Sequence, residues 1–336
     1  MQWVIREAPE GWQDLVPEGM PGILGRLLAQ RGVHHDEVER FLRPRLAELT
    51  DPFEIPEINL AVERILHAVD KDERVCVYGD YDVDGVSSIS VLCKTLEAYG
   101  LKPASFIPRR SSEGYGLSEG GLERCLNECG KPDLMISVDC GTVSNEAIAM
   151  LKSKGVDTVV VDHHEIGPDG RPDCVALVNP KASKHSHEYL CAAGVVFKLA
   201  HALLKRRPLD KFDLKSVLDL VAVATISDIV PLVDENRLIV RHGLRRLENS
   251  VRPGLRALLK LTGAEGRLSS SDIGFRIGPR LNAAGRMDQP EQALAILMTD
   301  CSNKALELAD ELENFNRNRQ QLEQVIFAEA MAMLKD

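Results

Sequence analysis

Apolar positions along this chain fall into two regimes. From Val75 to Val178 short runs rich in Val and Ile alternate with helix-like stretches, and from Leu190 onward the spacing is almost wholly helical. The runs VCVYG from Val75, DLMISV from Asp133 and DTVVV from Asp157 are continuously apolar, as in strands covered on both faces. Shorter strands are expected at Ala104 to Ile107 and Val175 to Val178, with helices at Leu60 to Asp70, Val86 to Tyr99, Ser118 to Cys129 and Val143 to Lys154. This alternation predicts an α/β fold, a doubly wound and mostly parallel sheet with right-handed crossovers.

The helical region is expected to comprise Ala192 to Arg206, Leu214 to Ala224, Glu235 to Glu248, Pro253 to Thr262 and Glu291 to Met298. Ser302 is expected to cap a last helix reaching about Leu334, with Ala305, Leu308, Leu312, Phe315, Leu322 and Val325 as its apolar stripe. Such a helix spans roughly 45 to 50 Å at 1.5 Å per residue, more than one compact domain needs. Before the first strand the chain is mixed, with a helix near Asp36 to Leu42 stopped ahead of Pro44 and with His34 and His35 read as surface residues. The expected divisions are a lead-in over 1–59, the α/β domain over 60–232, a helical extension over 233–301 and a long connecting helix over 302–336.

In open parallel sheets ligands bind at the carboxyl ends of the strands. Here the first run ends in GDYDVDG, carrying Asp80, Asp82 and Asp84; the second ends on Asp139 and the third on Asp162, His163 and His164. Alternate acids in a tight turn repel one another unless a cation neutralises them. A calcium loop also opens D-x-D-x-D-G, but its twelfth position here is Val91 instead of Glu, and a strand precedes it. A solvated acidic turn would account for one such strand end, but not for three, one of them with paired histidines. Carboxylate with imidazole suits Mn²⁺, with Mg²⁺ and Zn²⁺ as competitors.

The strings GDYDVDG, SVDCG and VVVDHHE resemble the first three motifs of the DHH phosphoesterase superfamily, and TISDIVPL, with Asp228, resembles the fourth. IPRRSSEGYGLS from Ile107 and GFRIGPRLNAAGRM from Gly274 are similar to the RecJ branch, the single-strand-specific 5′ to 3′ DNA exonucleases. The likeness runs from about Arg31 to the end of the chain. It implies two-metal phosphodiester hydrolysis from the 5′ end, releasing 5′-mononucleotides, with Asp82, Asp84, Asp139, His163 and Asp228 as ligands of two Mn²⁺ ions and Asp80 as an additional ligand. Asp162 would orient the histidines, with His164 behind the metal or facing phosphate. Arg110 and Arg280 are the foremost phosphate binders it implies, with Arg109, Arg276 and Arg286 beside them, Asn282 and Gly285 shaping a loop, and Tyr115 stacking on a base. Taken singly, each arginine is more commonly explained as a solvated surface charge. Tyr78 stands where the pyrophosphatase branch has a metal-binding His, which weighs against pyrophosphate hydrolysis. Single-stranded DNA and repair or recombination proteins are the implied partners. RecJ proteins carry a second lobe beyond the long helix that is not in this sequence, so the chain alone is expected to bind DNA weakly.

Composition changes this picture in three places. At 336 residues, 44% hydrophobic and 27% charged, the chain has room for one large or two modest domains. No apolar run approaches membrane length and the start, MQWVIREAPE, has no signal-peptide pattern, so a cytoplasmic location and no membrane partner are expected. The eight cysteines include no C-x-x-C pair, and Cys76, Cys93, Cys140 and Cys191 fall in apolar patterns, so they read as reduced core thiols. The formal net charge of −10 runs against a nucleic-acid binder, so a DNA path has to be a narrow basic stripe on an acidic body. Two other readings stand beside the exonuclease: a phosphodiesterase for short oligonucleotides or cyclic dinucleotides, and a DHH-like binding module whose catalysis has decayed. Intact acids at all four motifs argue against the last.

Overall fold

The structure is a computed structural model that describes residues 4, 7–182, 185–264 and 266–334. Two compact units, residues 1–49 and 50–336, make up the chain. In the first, α1 (Gly22–Ala29) and α2 (Val38–Leu42) enclose a small core of Leu28, Val33 and Val38. His34 and His35 are exposed there, and the expected helix from Asp36 begins as a 3₁₀ turn over His35–Glu37.

The second unit is built on five parallel strands, β1 (Val75–Gly79), β2 (Ala104–Phe106), β3 (Leu134–Val138), β4 (Asp157–Val161) and β5 (Ala176–Val178), in the order β2-β1-β3-β4-β5. Gly79 pairs with Val138 and Val138 with Val161, so the three acid-bearing strands end level. Strand order reverses between β1 and β3, the switch point where doubly wound sheets open a crevice. Period-two alternation gives the sheet two apolar faces. Cys76, Tyr78, Met135, Val160 and Leu177 share one core with α6 (Glu119–Cys129) and α7 (Asn145–Ser153), which follow α3 (Ile58–Lys71), α4 (Val83–Ala98) and the short α5 (Arg110–Glu113) in the chain. The other face is covered by α3, α4 and α8 (Ala192–Arg206), with α4 packed on α8.

Among the described residues the unit continues with α9 (Leu218–Ser227), α10 (Asp234–Glu248), α11 (Pro253–Thr262), α12 (Ser270–Asp272), α13 (Gly278–Arg286), α14 (Pro290–Met298) and α15 (Ser302–Met333), with a π-helical turn over Ile273–Ile277 before α13. The helix expected from Leu214 opens as a 3₁₀ turn and then runs on to Ser227, three residues past its expected end. Cys301, not Ser302, holds the N-cap of α15, and no side chain caps it. At 32 residues α15 is about 48 Å long. Its stripe divides: Ala305, Leu308 and Leu312 are buried where α15 packs on α11, α13 and α14, whereas Leu322 and Val325 are exposed. Among the described residues no helix is long and apolar enough to cross a membrane.

Candidate metal centre and phosphate-facing surface

Asp80 follows β1 directly and is 0% exposed, yet neither carboxylate oxygen has a hydrogen-bond partner. Burial, and then the neighbouring Asp82, push its carboxyl up to about 7; the amides of Tyr81 and Gly116 act the other way without reaching hydrogen-bond geometry. Asp82 is the N-cap of α4, accepting from the amides of Asp84 at 2.8 Å and Gly85 at 3.0 Å. The helix therefore starts at Val83, three residues earlier than its apolar pattern indicates. Asp84 accepts from the amides of Ala192 at 2.7 Å and Ala193 at 2.9 Å, the first turn of α8. Two helix N-termini thus meet on one loop, each favouring negative charge there. A Cβ at Gly85 would lie 2.2 Å from the Asp80 carbonyl oxygen, which is why the seventh residue of GDYDVDG is a glycine.

Asp139, past the end of β3, is buried and adopts a left-handed φ of 58°. Such backbone strain in a non-glycine residue gathers at functional sites. Burial and then Asp84, Asp82 and Asp80 hold its carboxyl above the usual range. Asp162, past β4, accepts four hydrogen bonds: from Thr142 N at 3.0 Å, His163 N at 2.7 Å, His164 N at 3.3 Å and His164 Nδ1 at 2.7 Å. Burial opposes its charge, but the His164 ring and the Thr142 contact outweigh it and keep the carboxyl below the usual range. Asn179 completes the support, its Nδ2 donating to Thr142 Oγ1 at 2.9 Å and to the His164 carbonyl at 2.8 Å. Burial holds the His163 imidazole below its ordinary value. Its Nε2 lies 3.3 Å from Asp139 Oδ1, 3.7 Å from Asp84 Oδ2 and 3.8 Å from Asp228 Oδ2, and its Nδ1 is buried without a partner. Asp228 ends α9, and Ile229 behind it takes a φ of 60° with its side chain 88% exposed, so the chain turns sharply as it brings the acid back to the strand ends.

Three sets of donor atoms converge to within 4.8 Å: Asp80, Asp82 and Asp139; Asp84, His163 and Asp228; and Asp139, His163 and His164. All six residues expected as metal ligands are therefore brought together. The GPRLNAAGRM segment corrects an expectation, because Asn282 and Gly285 lie in helix α13 and not in a loop. Asn282 Oδ1 accepts from the Val83 amide at 3.0 Å, and a Cβ at Gly285 would lie 2.6 Å from the Tyr81 carbonyl oxygen. The helix is pressed onto the acidic loop through its smallest residues. Pro279 at its first turn was the available sign of a helix start.

The basic side chains divide. Arg280 is held by its own chain, donating to Glu313 Oε2 at 2.6 Å and to the Arg276 carbonyl at 2.7 Å, while Arg276 pairs with Asp272 at 3.3 Å. Arg109 Nε is 3.8 Å from Glu291. The Arg110 guanidinium stands 5.7 Å from the Tyr81 ring centre, and Arg286 also brings positive charge to Tyr81. Tyr115 is 53% exposed; its hydroxyl meets His164 Nε2 at 2.9 Å and its ring lies edge-on to Tyr81. Tyr78 is buried and its hydroxyl donates to the Gly116 carbonyl at 3.1 Å, away from the acids. The amides of α8, Thr142, Asn179 and the helical setting of Asn282 were not legible in the sequence.

Level acid and histidine strand ends at the switch point of a parallel sheet define a divalent-metal centre of the phosphoesterase kind. Residues 74–225 match the DHH family, N-terminal domain. The chain is 40% identical over 341 residues to the single-stranded-DNA-specific exonuclease RecJ of Bacillus subtilis, covering 100% of this chain and 42% of that protein. It is similar to a crystal structure of exonuclease RecJ bound to manganese, with a TM-score of 0.78 and 34% identity over 86% of this chain and 72% of that one. A Thermus thermophilus RecJ structure in complex with Mn²⁺ gives a TM-score of 0.81 at 30% identity, over 96% of this chain and 46% of that one. The chain belongs to the DHH family, on its RecJ branch. It spans about half the length of the curated relatives it matches, 42% and 58% for the first two.

Proposed function

We propose that this chain is the catalytic part of a metal-dependent exonuclease that hydrolyses single-stranded DNA from its 5′ end and releases 5′-mononucleotides, with Mn²⁺, or Mg²⁺, as cofactor. The observation that carries this reading is the convergence of three carboxylate and histidine donor sets at the strand ends, one of them containing buried Asp80, whose two oxygens have no hydrogen-bond partner. A buried carboxylate without a partner is costly, and a cation is the partner that this donor set of carboxylates and imidazole fits. RecJ relatives named as single-stranded-DNA-specific exonucleases, and RecJ structures in complex with Mn²⁺ or Mg²⁺, support the same reading.

In this reading Asp80, Asp82, Asp84, Asp139, His163 and Asp228 hold the metal. Bound divalent cations supply Lewis-acid charge to the phosphodiester. Asp162 fixes the ring of His164 through Nδ1, leaving Nε2 turned to Tyr115 and the mouth of the site. Arg110 and Arg286, beside Tyr81, take the phosphate, with Arg109 at the rim, and the exposed ring of Tyr115 offers a stacking surface. Arg280 and Arg276, engaged with Glu313 and Asp272, reach phosphate only if those pairs open. A cytoplasmic setting with repair or recombination partners accompanies the proposal, as does a need for further chain to hold DNA tightly.

The test is hydrolysis of single-stranded DNA labelled at either end, with Mn²⁺, beside a duplex and the Asp139→Asn variant. Asn tolerates the left-handed backbone at this position, so the fold is retained. Mononucleotides released first from the 5′ end and lost in the variant are the expected result. Undiminished turnover by a folded Asp139→Asn protein overturns the site.

A further inference from the structure

On the face of the sheet opposite α4 and α8, three thiols converge that the sequence scatters over 53 residues, from Cys76 to Cys129. Cys76 lies on β1, and Cys125 and Cys129 lie one turn apart on α6. Cys76 Sγ and Cys125 Sγ are 3.6 Å apart, and all three sulfurs lie within 4.8 Å of one another. Cys76 and Cys125 are buried, whereas Cys129 is exposed at the end of the helix.

We propose that Cys76, Cys125 and Cys129 form a binding site for one thiophilic d¹⁰ cation, of the Zn²⁺ or Cu⁺ kind, separate from the carboxylate centre. Thiolate–metal bonds of about 2.3 Å place three sulfurs about 3.7 to 4.0 Å apart around one ion, close to the spacing found. Thiolate donors without oxygen or nitrogen select soft cations over Mn²⁺ or Mg²⁺. A disulfide between Cys125 and Cys129 within α6 fits poorly. Residues four apart on a helix have Cβ atoms about 5 to 6 Å apart, beyond the roughly 3.5 to 4.5 Å that a disulfide spans.

Access agrees with the proposal, because Cys129 opens the site to solvent. Cys76 lies on β1 four residues before Asp80, which follows the strand, so an ion here ties α6 to β1 behind the acidic loop.

The experiment titrates the reduced, metal-free full chain with Cd²⁺ and, anaerobically, with Cu⁺, following thiolate-to-metal charge-transfer absorption, which the carboxylate centre cannot produce. One equivalent is expected to saturate the band. Cys129→Ser, a change at an exposed position, should weaken Cd²⁺ binding at least tenfold and reduce the band by about a third, while Asp139→Asn leaves it unchanged. Bound Cd²⁺ should also protect Cys129 from alkylation, read by peptide mass mapping. No band at one equivalent, a band of equal strength and affinity in Cys129→Ser, or alkylation of Cys129 at the metal-free rate would overturn the assignment.

Discussion

Asp162→Asn changes the residue that organises the histidines without replacing a proposed ligand. One oxygen of Asp162 accepts from both histidine amides and from His164 Nδ1, and the other accepts from Thr142 N. Asparagine keeps one acceptor, so three of the four bonds survive in neutral form, and its NH₂ then faces the Thr142 amide at about the present 3.0 Å, donor against donor. Losing a hydrogen bond to a buried charge costs about 1.5 to 3 kcal/mol, and stranding a buried donor adds about 1 to 3. The neutral amide recovers part of this because it is easier to bury than the anion. A net loss of about 3 kcal/mol corresponds, at about 2 °C per kcal/mol for a chain this large, to a melting temperature about 6 °C lower. Partners that orient ligands in this way typically change metal affinity or activity by about 10- to 100-fold. Thermal unfolding followed by circular dichroism, with Mn²⁺ affinity from calorimetry on the same variant, measures both effects. A variant that melts within about 1 °C of wild type and binds Mn²⁺ equally well would refute the idea that Asp162 sets the histidine geometry.

Gly285→Val places a branched side chain where even a Cβ meets the Tyr81 carbonyl oxygen at 2.6 Å, so hydrolysis should fall at least tenfold, with weaker Mn²⁺ binding. Wild-type kinetics in that variant would show that α13 does not brace the loop. Lys198→Met leaves Glu235, 1% exposed, without the ammonium 3.0 Å away and should cost about 3 to 5 kcal/mol, whereas Lys198→Met with Glu235→Leu should recover most of it; urea unfolding of both separates a stranded charge from lost packing. Burial holds the Lys198 ammonium below its usual range even with Glu235 beside it, so the pair is worth less than the low Glu235 carboxyl alone implies. Burial and acidic neighbours raise the carboxyl of Asp80 to about 7, and that of Asp139 also lies above the usual range, so Asp80 holds its proton below about pH 7 and Mn²⁺ must displace it. Mn²⁺ affinity should therefore fall as pH drops from about 8 to 6, with proton release visible in weakly buffered calorimetry; a flat affinity would refute it.

The sheet was legible because β1, β3 and β4 are covered on both faces and so read as unbroken apolar runs. Acids placed just past such runs necessarily gather at the carboxyl edge, and for that reason the convergence of acids and histidines was legible with them. Local polar chemistry hid more. The start of α4 was obscured because its N-cap and first turn are the same acids that line the site. Asn282 and Gly285 were expected to shape a loop, whereas they lie in α13, with Gly285 packed closely on Tyr81 and Pro279 in the first turn of the helix. Contacts between residues far apart in the chain left no periodic trace: Lys198 with Glu235, Asp84 with the α8 amides, Arg280 with Glu313, and the thiols of Cys76 and Cys125.

These contacts explain how a chain of net charge −10 keeps so many acids in one pocket. The acids are not equivalent. Asp82 is neutralised locally by the first turn of α4, and Asp84 by that of α8, so helix dipoles and amides meet part of their charge before any cation arrives. Asp162 is met by His164. Asp80 has no such partner, and Asp139 is held in strained backbone with His163 Nε2 at 3.3 Å. Both belong to the Asp80, Asp82 and Asp139 set. In this fold backbone amides hold Asp82 and Asp84, while the proposed cation would complete the surroundings of Asp80 and Asp139.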